Sequence, residues 1–306
     1  MSEEGTPVIL PESHLDLLDR PLTTFLTTEM PDGRLQSTVV WCNRDGDELL
    51  LNTMREFQKA RNLRARPRAT VLVIDPEDDV RWMEVRGDVT LEDDGALEHL
   101  DLLCELYMGE GPFFGHGIPA EFAAMEHPVR CRLVPTAVVT GGRFARAGGR
   151  STSAKPAGWN ERRPCTGDVP IPETHLDLVR GPLTASLATR LPSGAAQTQP
   201  VWYELDGNDL LVNTSRERRK GRNLESDPRA TLLVVDPQSS SRWIEIRADA
   251  DLQEVGAVEQ LDRETHRYTG HDHYYGSIYP VEQRQRETRV IARLHPRRIA
   301  CDAIHA

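Results

Sequence analysis

Two of the chain's three lysines, Lys59 and Lys220, stand 161 residues apart in the same sequence block, in a protein that uses arginine thirty-four times. The block reads Asn52-Thr53-x-Arg55-Glu56-x-x-Lys59-x-Arg61-Asn62-Leu63 and returns as Asn213-Thr214-x-Arg216-Glu217-x-x-Lys220-x-Arg222-Asn223-Leu224. Its chemistry is that of an anion site. The pattern predicts that Thr53 ends a strand and that a helix spans 55–66, placing Arg55 and Lys59 at i and i+4 near the helix N-terminus. Free N–H groups and the positive end of the helix dipole favour an anion there. Arginine would add charge-assisted hydrogen bonds and lysine a point charge. The competing reading is a solvated bridge between Glu56 and Lys59, worth roughly 0.2–0.5 kcal/mol. Retention of lysine at both positions favours the ligand.

The block belongs to a duplication at a constant offset of 161 that runs from residue 11 to about 136. It pairs Pro11-Glu12-Ser13-His14 with Pro172-Glu173-Thr174-His175, Trp41 with Trp202, Asp45-Gly46 with Asp206-Gly207, and Arg81-Trp82 with Arg242-Trp243. Eighteen of the twenty-eight residues at 49–76 match their partners without a gap, so one fold should serve both copies. A period of roughly 130 residues is long enough to bury its own core, unlike a solenoid repeat. Domains are expected at 8–140 and 169–301, joined by a Gly-, Pro-, Ser- and Arg-rich linker at 141–168.

Composition is that of a water-soluble protein, with 38% hydrophobic and 28% charged residues and a net charge of −11. The acidic balance argues against nucleic-acid or anionic-membrane partners, which need a positive footprint. No apolar run reaches a membrane span, and the polar start is no signal peptide, so a cytoplasmic location is expected. Five cysteines without CxxC spacing read as reduced thiols. His271-Asp272-His273 lacks further ligands for a metal, and no metal is expected.

Each copy opens with a short helix, in which Ser13 and Asp16 (Thr174 and Asp177) fit a capping box. Strands are predicted over 22–28, 36–42, 48–53, 69–75, 80–91 and 129–139, with helices at 55–66 and 94–107. Six hairpin-linked strands and few helices make a mainly β (α+β) domain, a closed or half-closed antiparallel barrel.

These motifs in order resemble the split-barrel flavin-binding family typified by pyridoxine 5′-phosphate oxidase, and more closely its actinobacterial branch of deazaflavin (F420)-dependent reductases. The second copy carries the resemblance best, through 183–189, Gln197-Thr198-Gln199-Pro200-Val201-Trp202, 211–214, Lys220-Gly221-Arg222-Asn223-Leu224 and Asp227-Pro228-Arg229-Ala230. It implies two tandem six-stranded split barrels paired as an internal pseudo-dimer, a monomer standing in for a two-fold dimer. It also implies coenzyme grooves between the repeats, with Asn52, Thr53, Arg55, Lys59, Arg61 and Asn62 at the phosphate and Val40 and Trp41 near the ring. The second copy would contribute Asn213, Thr214, Arg216, Lys220, Arg222, Asn223, Val201 and Trp202. The expected activity is an F420-dependent oxidoreduction of an unsaturated small molecule, with FMN as the alternative coenzyme and a non-catalytic flavin, deazaflavin or haem binder as the rival class. No residue stands out as proton donor.

The copies also differ, with Val39 against Pro200, Phe57 against Arg218 and Gly87 against Ala248, so unequal grooves are expected. The recurring Trp41, Trp82, Trp202 and Trp243 are expected in core or interface, and Tyr268, Tyr274, Tyr275 and Tyr279 along a pocket of the second copy.

Overall fold

The computed structural model describes residues 8–141 and 169–302; the expected linker and Cys165 lie outside the described residues, apart from Gly141. Among these, 8–141 together with Gly194–Pro200 form one compact unit, and 169–193 with 201–302 form another.

The first repeat contains strands β1 (Thr24–Glu29), β2 (Leu35–Val40), β3 (Cys42–Asp45), β4 (Glu48–Met54), β5 (Arg68–Asp75), β6 (Asp78–Glu92) and β7 (Pro128–Gly141). Its helices are α1 (Asp16–Asp19), α2 (Gln58–Ala65) and α3 (Ala96–Met108). The second repeat follows with β8 (Ala185–Arg190), β9 (Ala196–Val201), β10 (Glu204–Asp206), β11 (Asp209–Ser215), β12 (Arg229–Asp236), β13 (Ser239–Gln253) and β14 (Arg289–Cys301). Its helices are α4 (Leu176–Arg180), α5 (Arg219–Ser226) and α6 (Ala257–Thr269).

Each sheet has seven antiparallel strands, in the order β2-β1-β5-β6-β7-β4-β3 and β10-β11-β14-β13-β12-β8-β9. The extra strand relative to the sequence reading arises at Trp41, which divides the strand expected over 36–42 in two. In the first sheet the edge strands β2 and β3 are thus neighbours in sequence, so the sheet must curl back on itself, the geometry of a split barrel. Inward residues of this sheet, among them Leu26, Leu49, Leu51, Val71, Val73, Met83, Val85 and Leu133, fill its core. In the second repeat Leu187, Leu210, Val212, Leu232, Val234, Ile244 and Leu294 do so. Alternation along β4 makes the division visible: Leu49 and Leu51 face the core, while Asn52 turns to α3 and donates to the Ala96 carbonyl at 2.7 Å.

The expected capping boxes do not form. Ser13 Oγ meets His14 Nδ1 at 2.8 Å and Thr174 Oγ1 meets His175 Nδ1 at 2.9 Å. Asp16 and Asp177 instead bind Arg81 and Arg242, because those guanidiniums offer each carboxylate two donors.

Within the first unit, the segment Gly194–Pro200 is held by polar contacts. Thr198 Oγ1 donates to Thr27 Oγ1 at 3.0 Å, Thr198 N to Glu84 Oε1 at 3.3 Å, and Thr70 Oγ1 to the Ala196 carbonyl at 2.8 Å. Glu84 is fully buried, and burial pushes its carboxyl up to about 7 against the pull of Arg86.

Candidate anion-binding site

The predicted helix over 55–66 begins later than the sequence indicates. The Arg55 amide donates to the His127 carbonyl at 2.8 Å, prolonging the β4 to β7 pairing, and Phe57 is still extended (φ −78°, ψ 152°). Arg55 and Glu56 therefore lie in a turn before α2, and Arg55 and Lys59 do not share a helical face. The same shift occurs before α5, where Arg218 is extended.

The expected phosphate-site residues divide into three groups. The four asparagines are structural. Asn62 Nδ2 reaches Thr28 Oγ1 at 3.0 Å and Gln36 Oε1 at 3.1 Å, bolting α2 to β1 and β2. Asn223 Nδ2 likewise reaches Thr189 Oγ1 at 3.0 Å. Asn52 and Asn213 tie β4 and β11 to α3 and α6, Asn213 through the Ala257 carbonyl at 2.7 Å.

The four arginines are engaged. Arg55 binds Asp93 at 2.7 Å, and Arg216 binds Glu254 at 2.8 Å and Glu225. Arg61 and Arg222 donate to the carbonyls of Glu56 and Glu217.

Lys59, Lys220, Thr53 and Thr214 form the third group, with capacity to spare. Among the described residues neither lysine has a carboxylate within salt-bridge distance. The expected competitor, a Glu56 to Lys59 bridge, is not formed: Glu56 holds His127 at 2.7 Å, and Glu217 accepts from the Thr288 amide at 2.9 Å. Each lysine keeps some side-chain surface, yet its ammonium is desolvated. Burial pushes Lys59 down to about 8 and Lys220 down to about 7, where Arg218 and Arg289 add positive potential against Glu264. Among the described residues the buried hydroxyls of Thr53 and Thr214 have no hydrogen-bond partner. A desolvated cation and an unfilled hydroxyl within one motif fit an anionic ligand group.

Trp41 stacks on Tyr107 with centroids 5.3 Å apart, and Trp202 on Tyr268 at 5.1 Å. Tyr107 Oη accepts from the Cys42 amide at 3.1 Å, and Tyr268 Oη from the Tyr203 amide at 3.3 Å, so each tyrosine fixes the corner next to its tryptophan. Val40 and Val201 are buried in the cores. Trp243 is buried, whereas Trp41, Trp82 and Trp202 are half-buried. In the tyrosine-rich loop, His273 pairs with Asp262 at 3.0 Å and His266 with Asp272 at 3.2 Å.

Around Lys220 the sequence reading singled out Arg218 and the tyrosines but missed Arg289 and Glu287, which complete the group. Arg289 Nη2 lies 2.9 Å from Glu287 Oε2, Arg218 Nη2 donates to Glu287 Oε1 at 3.3 Å, and Arg289 Nε donates to Tyr275 Oη at 2.8 Å. The Arg289 guanidinium also lies 4.8 Å from the Tyr274 ring centroid, and Arg218 5.5 Å from that of Tyr279. Extending the comparison of copies to β14 would have added Arg289, which faces Pro128 in the first copy, whereas Glu287 faces an identical Glu126.

The family profile of pyridoxamine 5′-phosphate oxidase matches twice, at residues 10–130 and 171–300. The chain belongs to this family of flavin-binding split barrels, as a tandem repeat. The family includes oxidoreductases and also non-catalytic members. Among solved structures, an F420 reductase is similar at 27% identity, over 42% of this chain and 98% of its own, with a TM-score of 0.37. A conserved hypothetical protein from Mycobacterium tuberculosis aligns at 23% identity over 51% of this chain and 99% of its own, TM-score 0.37. A putative pyridoxamine 5′-phosphate oxidase from Listeria innocua aligns at 20% identity over 42% and 95%, TM-score 0.32. No functionally curated protein matches the chain. Among the described residues no helix is long and apolar enough to cross a membrane.

Proposed function

We propose that this chain is a cytoplasmic oxidoreductase that binds the phosphorylated tail of a flavin-type coenzyme, deazaflavin F420 in preference to FMN, and acts on an unsaturated small molecule. The observation that carries the reading is the pair of desolvated lysines at equivalent positions, each without a carboxylate within salt-bridge distance among the described residues and each in a repeat with a buried threonine hydroxyl that has no partner there. Such a lysine gains a full charge-assisted interaction when an anion arrives, because its desolvation has already occurred on folding. A bound deazaflavin supplies hydride transfer; the protein supplies the anion contact, orientation and exclusion of water. The motif makes Lys220 and Thr214, with Lys59 and Thr53 as their counterparts, the candidates for the phosphate, and Trp41 and Trp202, fixed by their tyrosines, the candidates for the ring's neighbourhood. The engaged arginines and the structural asparagines would act by shaping the site. The proposal extends to domains at 8–140 and 169–301 joined by 141–168, working within a monomer as an internal pair.

Fluorescence titration of the purified chain with F420 and with FMN tests this, followed by reoxidation of the reduced coenzyme with an activated enone. Saturable F420 binding, weakened about tenfold or more by a Lys59→Met/Lys220→Met double variant, is expected. Unchanged affinity in that variant sinks the reading. Tight FMN binding without F420 binding reassigns the coenzyme, and binding without turnover of any enone marks a carrier.

A further inference from the structure

The two equivalent lysines occupy opposite environments. The first repeat has Met54, Phe57, Leu103 and Pro128 at four positions of this region, and the Lys59 ammonium lies 5.4 Å from the Phe57 ring centroid. The same four positions of the second repeat are Ser215, Arg218, Glu264 and Arg289. Register brings these together. Ser215 pairs directly with Arg289 across β11 and β14, so both side chains leave the same face of the sheet. Arg289 is almost wholly buried and extends along that face to Asn213, with Nη1 3.5 Å from Oδ1. Glu264, on α6, receives Gln260 Nε2 at 2.5 Å, and Gln260 in turn accepts from Asn213 at 2.7 Å. Gly221, next to Lys220, packs so tightly on this strand end that an added Cβ would lie 2.1 Å from the Ser215 carbonyl oxygen.

The charges in this pocket do not balance. Two guanidiniums, Arg218 and Arg289, share the single carboxylate of Glu287, and both add positive potential at Lys220. Among the described residues the buried hydroxyl of Ser215 lacks a partner, and Arg289 Nη2 makes no well-aligned hydrogen bond despite its 2.9 Å approach to Glu287. A purely structural network would leave neither surplus positive charge nor idle donors. The first repeat has apolar side chains at the same positions and leaves Lys59 alone.

We propose that the second repeat alone carries the phosphate subsite, with Ser215, Arg218, Lys220 and Arg289 as its ligands, and that the first repeat has lost it. This rests on the coenzyme reading for the identity of the whole ligand, though not for the recognition of phosphate.

The chain has only three lysines, Lys59, Lys155 and Lys220, so amine labelling reads each one separately. Full-length protein would be acetylated with acetic anhydride, with and without inorganic pyrophosphate, and the rates followed by peptide mass spectrometry. The expected result is that pyrophosphate slows Lys220 about tenfold and leaves Lys59 unchanged. Equal protection of both lysines, protection of Lys59 alone, or protection of neither overturns the proposal. Calorimetry supplies an independent arm: Arg218→Phe and Ser215→Met, which import the first repeat's residues, should each weaken pyrophosphate about tenfold, and Phe57→Ala should not. Unchanged affinity in both imported variants overturns it as well. The two readings fail separately. Pyrophosphate protection of Lys220 with no F420 or FMN binding removes the coenzyme and keeps the subsite, whereas coenzyme binding that depends equally on Lys59 and Lys220 does the reverse.

Discussion

Gly221 lies against the carbonyl of Ser215 at a separation no side chain tolerates, while Ala60 takes the equivalent place in the first repeat and is fully buried. Helix α5 thus approaches its strand more closely than a methyl group at 221 would allow, which sets Lys220 beside the end of β11.

Gly221→Ala should cost about 1–3 kcal/mol by forcing the helix outward. The converse Ala60→Gly should cost only about 0.5–1 kcal/mol, through lost helix propensity. Urea unfolding of both variants checks the contrast, and equal losses would show that the close approach is unimportant.

Anion binding should take up a proton near pH 8. Lys59 and Lys220 lie at about 8 and about 7 in the folded chain, below the ordinary lysine value of 10.5. Between those values the unfolded chain holds more protons, so this contribution to stability rises with pH across the window. A bound anion restores the charge, and affinity should fall as pH rises past about 7. Calorimetric titration with sulfate in buffers of different ionisation enthalpy measures the uptake. Heats independent of buffer would contradict it, and Lys220→Met should abolish the uptake.

Asn62→Ala should destabilise without touching ligand affinity. It removes the donor shared by Thr28 and Gln36 and leaves the buried Thr28 hydroxyl oxygen unfilled, at a cost of about 1–3 kcal/mol. Thermal melting paired with a pyrophosphate titration separates the two effects. A loss of affinity with unchanged melting would return Asn62 to the ligand.

Glu84→Gln should remove a contribution that lowers stability as pH rises from about 4.5 to about 7. The carboxyl sits at about 7 when folded and near 4.5 otherwise, so the folded chain holds the extra proton and stability falls as pH rises between those values. The variant should equal or exceed the parent above pH 7 and gain nothing at pH 4. Parallel melting curves at every pH would refute the assignment.

Much of the architecture was legible from residue types. The constant offset of 161 required one fold twice, and alternation such as Leu49 and Leu51 inward with Asn52 outward marked the strands. The extra strand was hidden because Trp41 interrupts an otherwise continuous β pattern without a glycine or proline to announce it. Helix α2 was expected three residues early because Arg55 and Glu56 are good helix formers, and only the long-range bond to His127 holds that stretch out of the helix.

The sequence by itself determined that Lys59 and Lys220 are equivalent and set apart from the surrounding arginines. The tertiary structure decided that Asn62 and Asn223 bolt the helices in place, that Arg55 and Arg216 are engaged by acidic neighbours, and that the lysines are dissimilar. A local motif records side-chain types along one segment, but the field at an ammonium is set by groups brought from elsewhere in the chain. Lys220 meets Glu264 from α6 and Arg289 from β14, whereas the matching positions beside Lys59 are leucine and proline.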